Sequence, residues 1–253
     1  MTALANFSGL TAMELAYCLV AVFFASLVRG YAGFGFSALV AASLTLILPP
    51  AEIIPIILLM EVAASIAMLP SVWRDVDWKK LLVICIGAAI GTPLGVYLLV
   101  TISEDSARIV ICTLILSASI ALLRGYMFRG TGGPALTVST GFASGVANGV
   151  ASIGGLPIVI FLLASASGAA STRAFIVAFL FVLDIYGSLL MFNSGLLNAE
   201  VVTRFVIFLA PLILGVILGS RQFLRTSPES FRQFALALLI VLALSGLVRS
   251  LVL

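Results

Sequence analysis

The sequence predicts an all-α polytopic membrane protein made of two inverted-topology repeats, with broken or re-entrant helices meeting near the midplane. Three observations predict it. First, 62% of the 253 residues are hydrophobic and 9% are charged, where a soluble domain carries about 25% charged residues. Second, apolar runs close to the about 20 residues a membrane helix needs follow one another, joined by short polar connections. Third, a Gly-rich, helix-breaking stretch interrupts each half of the chain at a corresponding place, around Arg29–Ser37 and around Asn148–Pro157.

The first apolar segment is expected over Ala12–Val28, and a short piece over Phe36–Leu48 ends at Pro49-Pro50. Ile53–Val72 forms the next helix and leads into a charged loop with Arg74, Asp75, Asp77, Lys79 and Lys80. Leu81–Val100, a polar turn from Ser103 to Arg108, and Ile109–Leu123 complete the first half, and Arg124–Pro134 links the halves. The second half repeats the plan. Leu136–Val150 precedes the break, Leu156–Ala166 is a short piece, and Ala174–Phe192, Val202–Leu218 and Phe234–Leu251 follow. The repeats divide the chain into residues 1–130, which carry the midpoint linker, and 131–253.

The repeat has a register. Glu61, Ser65 and Met68 match Asp184, Ser188 and Met191 at an offset of 123, and Gly91 and Gly95 match Gly215 and Gly219 at 124. The breaks align at 119, pairing Gly30 with Gly149, Gly35 with Gly154 and Arg29 with Asn148, or at 118. The positive-inside rule then orients the chain. With the Arg74–Lys80 loop in the cytoplasm, Arg124, Arg129, Arg221, Arg225 and Arg232 also fall inside, the Asn193–Glu200 loop lies outside, and both termini face outside. The two pieces around each break read either as a re-entrant hairpin or as two crossings; the short second pieces favour the hairpin.

Composition also excludes functions. The net charge is only +3 and no basic run suggests nucleic acid. His is absent, which removes the commonest general base and metal ligand. Cys18, Cys85 and Cys112 lack metal or redox spacing and read as small core residues. No cofactor is implied. No Lys or Arg precedes Arg29, so a cleaved signal peptide is not expected.

The candidate chemistry sits in the breaks and beside them. Glycine in a helix interior costs about 1 kcal/mol, and non-helical backbone at membrane depth must line a cavity or be buried in protein. Paired breaks in corresponding positions point to a transporter binding site. Helix N-termini after Gly33 and Gly35 and after Gly154 and Gly155 offer N–H groups to an anion. Ser37, Asn148 and Ser152 add neutral donors, and Arg29 adds charge. Glu61 and Asp184, mid-helix in apolar surroundings, read as ion-coupling groups or partners of a binding Arg, or as structural hydrogen-bond acceptors at a broken helix end. Glu52 reads as a helix-dipole acid. Gly87, Gly91 and Gly95, and Pro211, Gly215 and Gly219, read as helix-packing faces.

The paired Gly-rich openings, Arg29-Gly-Tyr-Ala-Gly-Phe-Gly35 and Asn148-Gly-Val-Ala-Ser-Ile-Gly-Gly-Leu-Pro157, resemble the TauE/SafE sulfite-exporter family. The first opening departs from the signature, with Phe36-Ser37 where the second has Gly155-Leu156 and with no following Pro. The resemblance implies a secondary transporter of the bacterial inner membrane, most simply an exporter, moving a sulfite-type or organosulfonate anion. The expected partners are that anion, the lipid bilayer and a coupling ion such as the proton; an oligomer is compatible with the sequence. A carrier or channel for another small anion, such as a carboxylate, and an intramembrane enzyme are the alternatives.

Overall fold

The computed structural model describes residues 8–124, 133–163 and 169–223, with the single positions 240 and 244. Among them the regular structure is entirely helical: α1 (Ala12–Ala32), α2 (Phe36–Leu44), α3 (Pro50–Val72), α4 (Trp78–Thr101), α5 (Glu104–Leu123), α6 (Pro134–Ala151), α7 (Gly155–Leu163), α8 (Ala169–Asn193) and α9 (Ala199–Phe223). A single 3-10 turn, Trp73–Asp75, follows α3. Six of these helices are long and apolar enough to cross a membrane: α1, α3, α4, α5, α8 and α9. The expected last helix, Phe234–Leu251, and most of the midpoint linker lie outside the described residues, as do Arg129, Arg225 and Arg232.

Local chemistry fixes the helix ends. Thr11 and Glu14 form a capping box at α1. Asp77 accepts from the Lys80 N–H at 3.1 Å to cap α4, Ser103 caps α5, and Asn198 accepts from Val201 at 2.9 Å to start α9. Two boundaries differ from the sequence reading. α1 runs on through Gly30 to Ala32, so Arg29 is a helix residue and not part of the break. α2 stops at Leu44 instead of Leu48, where the i→i−3 bonds of Leu46 and Ile47 replace the helical ladder ahead of Pro49-Pro50.

The closest packing joins the two halves. α6 lies along α4, and α1 lies along α9. Gly87, Gly91 and Gly95 of α4 press on the main chain of Val138, Phe142 and Val146, while Gly141, Gly145 and Gly149 of α6 press on Ile84, Ala88 and Thr92. Gly30 meets Val216 and Ser220, and Gly219 meets Leu27, on the other pair. A methyl group at any of these positions would strike backbone. In lipid, where association depends on close van der Waals packing instead of water exclusion, such glycine faces are what lets helices approach. α3 and α8, the acid-bearing helices, pack against each other at the centre.

Contacts sort the connections into two ends. At one end Ser171 approaches Asp75, Lys80 sits over the rings of Phe161 and Phe175, and Arg173 donates to the Gly30 carbonyl at 2.7 Å. At the other, Arg204 pairs with Glu52 and donates to the Ser8 carbonyl, and Arg108 donates to the Thr45 carbonyl.

Candidate functional site

Each expected break is a break in the structure. Gly33 ends α1 at φ 80°, its N–H donating to the Arg29 carbonyl at 2.8 Å, and Gly35 starts α2 at φ 92°. Both are left-handed positions that only glycine adopts cheaply. The second break is built differently. Ser152 takes the left-handed cap of α6 at φ 55°, with its N–H on the Asn148 carbonyl at 2.8 Å and the Ile153 N–H on Ala147 at 3.3 Å. The Ser152–Asn148 bond is the 5→1 bond of an αL ending, with Ser in the place glycine usually holds. Ser144 donates its hydroxyl to the Gly154 carbonyl and pins the far side of the break.

Each break carries a buried polar cluster built around one of the two acids. Arg29, fully buried, donates to the Gly33 carbonyl and to Ser65 Oγ at 2.8 Å, and its guanidinium lies 2.9 Å from Glu61. Asn148 Nδ2 donates to Asp184 Oδ1 at 2.9 Å, and the Gly154 N–H donates to Asn148 Oδ1 at 3.2 Å. Asp184 stands within electrostatic reach of both Glu61 and Arg29. The contact between Glu61 and Arg29 is charge on charge: the carboxylate oxygens lie outside good hydrogen-bond geometry, with the Ser37 hydroxyl and N–H turned towards them. The first turn of α2 therefore already faces an anion, and that anion is Glu61.

The predicted residues thus divide. Asn148, Gly154 and Asp184 belong to the second cluster, and Arg29, Gly33, Ser37 and Glu61 to the first. Gly35 stands next to it as the N-cap of α2. Ser152 is buried at 1% exposure with its hydroxyl unpartnered. Gly155 opens α7 beside the Leu180 side chain, in apolar surroundings. Glu52, expected as a dipole acid, does sit in the first turn of α3 and is ion-paired with Arg204.

Ser65, Ser144 and Arg173 were not singled out as site residues from sequence. Ser65 carried a signal, since it follows Glu61 by one helical turn and so shares its face. Arg173 carried none, because only the fold brings the start of α8 to the end of α1. Among the described residues no group of three His, Cys, Asp or Glu could hold a metal ion. A groove of about 450 Å³ between α5, α6 and α7 is lined by residues such as Leu114, Leu136 and Ile160 and by no charged side chain.

The family model described as sulfite exporter TauE/SafE matches residues 18–246. No curated protein matches, and no solved structure matches.

Proposed function

The chain belongs to the sulfite exporter TauE/SafE family of membrane transporters, and from that premise we propose that it carries a sulfite-type or organosulfonate anion outward across a bacterial inner membrane as a secondary transporter. The observation that supports this most is the pair of buried polar clusters at the two helix breaks, Gly33, Arg29 and Glu61 at one and Gly154, Asn148 and Asp184 at the other, with the two acids in electrostatic reach of each other. Buried charge at membrane depth is costly and marks a pathway.

The proposed site uses what the sequence indicates. A sulfonate spreads one negative charge over three acceptor oxygens and needs several donors in a low-dielectric site. Arg29, the N–H groups at Gly35 and Ser37, and the second break at Asn148, Ser152, Gly154 and Gly155 would supply them. Glu61 now occupies part of that donor set. Substrate and Glu61 therefore compete for Arg29, and loss of the Glu61 charge on proton uptake frees the guanidinium for substrate. That exchange makes Glu61 a coupling group.

The inverted repeat has support in the reciprocal packing, α1 on α9 and α6 on α4, around the α3–α8 pair. It also has support in the two ends, since Asp75 meets Ser171 at one and Glu52 meets Arg204 at the other. With the first end cytoplasmic, each break returns the chain to the side it came from, as a re-entrant hairpin does.

The test is a stability screen of purified protein against sulfite, thiosulfate, sulfoacetate, taurine, isethionate and matched carboxylates. A ligand that binds only the folded state raises the melting temperature by mass action. The expected result is a saturable rise with a sulfur oxyanion and none with carboxylates. A response to carboxylates alone moves the protein to the carboxylate-carrier reading.

A further inference from the structure

In the first half, one carboxylate and one hydroxyl close around a positive charge. Arg29 lies 2.9 Å from Glu61 and donates to Ser65 at 2.8 Å. The second half repeats the acid and the hydroxyl as Asp184 and Ser188, again one turn apart, but its acid is held by Asn148, which the 119-residue offset of the breaks pairs with Arg29. The neutral amide reaches Asp184 Oδ1 and no further. Asp184 Oδ2 and Ser188 Oγ are left buried with no hydrogen-bond partner, and Ser152 Oγ, at the end of the helix that carries Asn148, is left the same way. Asp184 is 0% exposed and Ser152 1%.

The unfilled atoms are all oxygens. The charged groups acting on Asp184 are Glu61, which repels it, and Arg29, which Glu61 already engages. Arg173 is on the same helix but eleven residues away, about 16 Å along the axis at 1.5 Å per residue, and donates to Gly30 and Ser220. In its ionised form Asp184 has no counter-charge of its own among the described residues, because Arg29 pairs with Glu61.

We propose that the second half binds a monovalent cation of the sodium type at Asp184 Oδ2, in the role that the Arg29 guanidinium plays in the first half. The Ser188 hydroxyl and the carbonyl end of α6 act as neutral oxygen donors; broken helices in transporters offer such ends to cations. A single carboxylate suits a monovalent ion, whereas calcium draws on several oxygens with more than one acid among them. A proton on Oδ2 would instead make Asp184 a donor to one hydroxyl oxygen, and the sodium titration below separates the two ions. The inference rests on the transporter reading and names its coupling ion.

The experiment melts purified full-length protein while NaCl replaces choline chloride at constant ionic strength, with KCl as a control, in the presence and absence of sulfite. The expected result is a saturable sodium-dependent rise that choline does not give. Ser188→Ala should weaken its midpoint about tenfold, one charge-assisted oxygen contact, and Asp184→Asn should abolish it. Asn148→Arg supplies the missing charge in place, so that variant should lose the sodium response. Absence of any sodium response, or an unchanged one in Ser188→Ala and Asn148→Arg, overturns the cation site. The sulfite arm separates the two claims: a sulfite shift without a sodium shift leaves transport standing and removes the cation.

Discussion

Asn148 holds Asp184 at 2.9 Å in the second half of the chain. In the first half Arg29 holds Glu61, also at 2.9 Å, so each half pairs a residue near its break with the acid of its central helix. The two pairs differ by one charge. An Arg–carboxylate pair balances its own charge, whereas a neutral amide brings no charge and leaves Asp184 Oδ2 without a partner. The first pair is thereby suited to exchange its anion, and the second to take up a cation.

Arg29 can be tested apart from folding. Breaking a buried ion pair at one partner costs about 3–5 kcal/mol, so Arg29→Ala should lower stability sharply and prove little alone. The double variant Arg29→Gln with Glu61→Gln removes both charges and should recover most of that loss. It should still show no melting shift with sulfite. Arg29→Lys keeps charge without the fork and should bind more weakly than wild type but better than Arg29→Ala. A double variant that binds sulfite normally would take Arg29 out of the site.

Competition between Glu61 and substrate fixes the sign of a pH effect. An anion reaches Arg29 more easily when Glu61 carries no charge, so binding should strengthen as pH falls. Isethionate is the right probe, because its sulfonate does not titrate in the working range while sulfite does. Glu61→Gln should bind isethionate with little pH dependence, in a melting-shift titration across pH. A variant that keeps the wild-type slope assigns the pH effect to another group.

The glycines should separate by what a methyl group would meet. At Gly154 a Cβ would lie 2.9 Å from Asn148 Oδ1 and 2.8 Å from Leu183. Gly154→Ala should therefore disturb the Asn148–Asp184 contact and lower transport at least tenfold, since about 1.4 kcal/mol is a factor of ten. At Gly155 the nearest atom is the end of Leu180 at 3.3 Å, which can move. Gly155→Ala should be tolerated. Gly91→Ala drives into the Phe142 carbonyl and should reduce the yield of folded protein instead. Transport in proteoliposomes, normalised to folded protein, distinguishes the three.

Orientation is open to chemical labelling. With Cys18, Cys85 and Cys112 replaced, single cysteines at Asp77 and Asn198 should react with an impermeant reagent from opposite faces of intact cells. Residue 77 is expected to be cytoplasmic and residue 198 external, because basic residues gather at the Arg74–Lys80 end. Labelling of both from one face would exclude the inverted repeat.

Much of this protein was legible in the chain. Continuous apolar runs, rare charges and paired breaks specify membrane helices with interruptions, because each residue's transfer free energy and each glycine's or proline's backbone preference are local properties. The acids Glu61 and Asp184 and the opening Arg29 and Asn148 were visible for the same reason: such residues are exceptional in an apolar run. Their partnership was not visible. Arg29 lies 32 residues before Glu61, and Asn148 36 residues before Asp184, and a helix break falls within each separation. Only the packing of α3 on α8 brings the acids together. Packing of α2 on α3 turned the first helix N-terminus from an open anion site into one that faces Glu61, and the contact of α8 with α1 brought Arg173 to the end of α1. Sequence determined which groups the membrane must accommodate. Tertiary structure decided which of them neutralise one another, because an electrostatic partner is set by distance through space and not by distance along the chain.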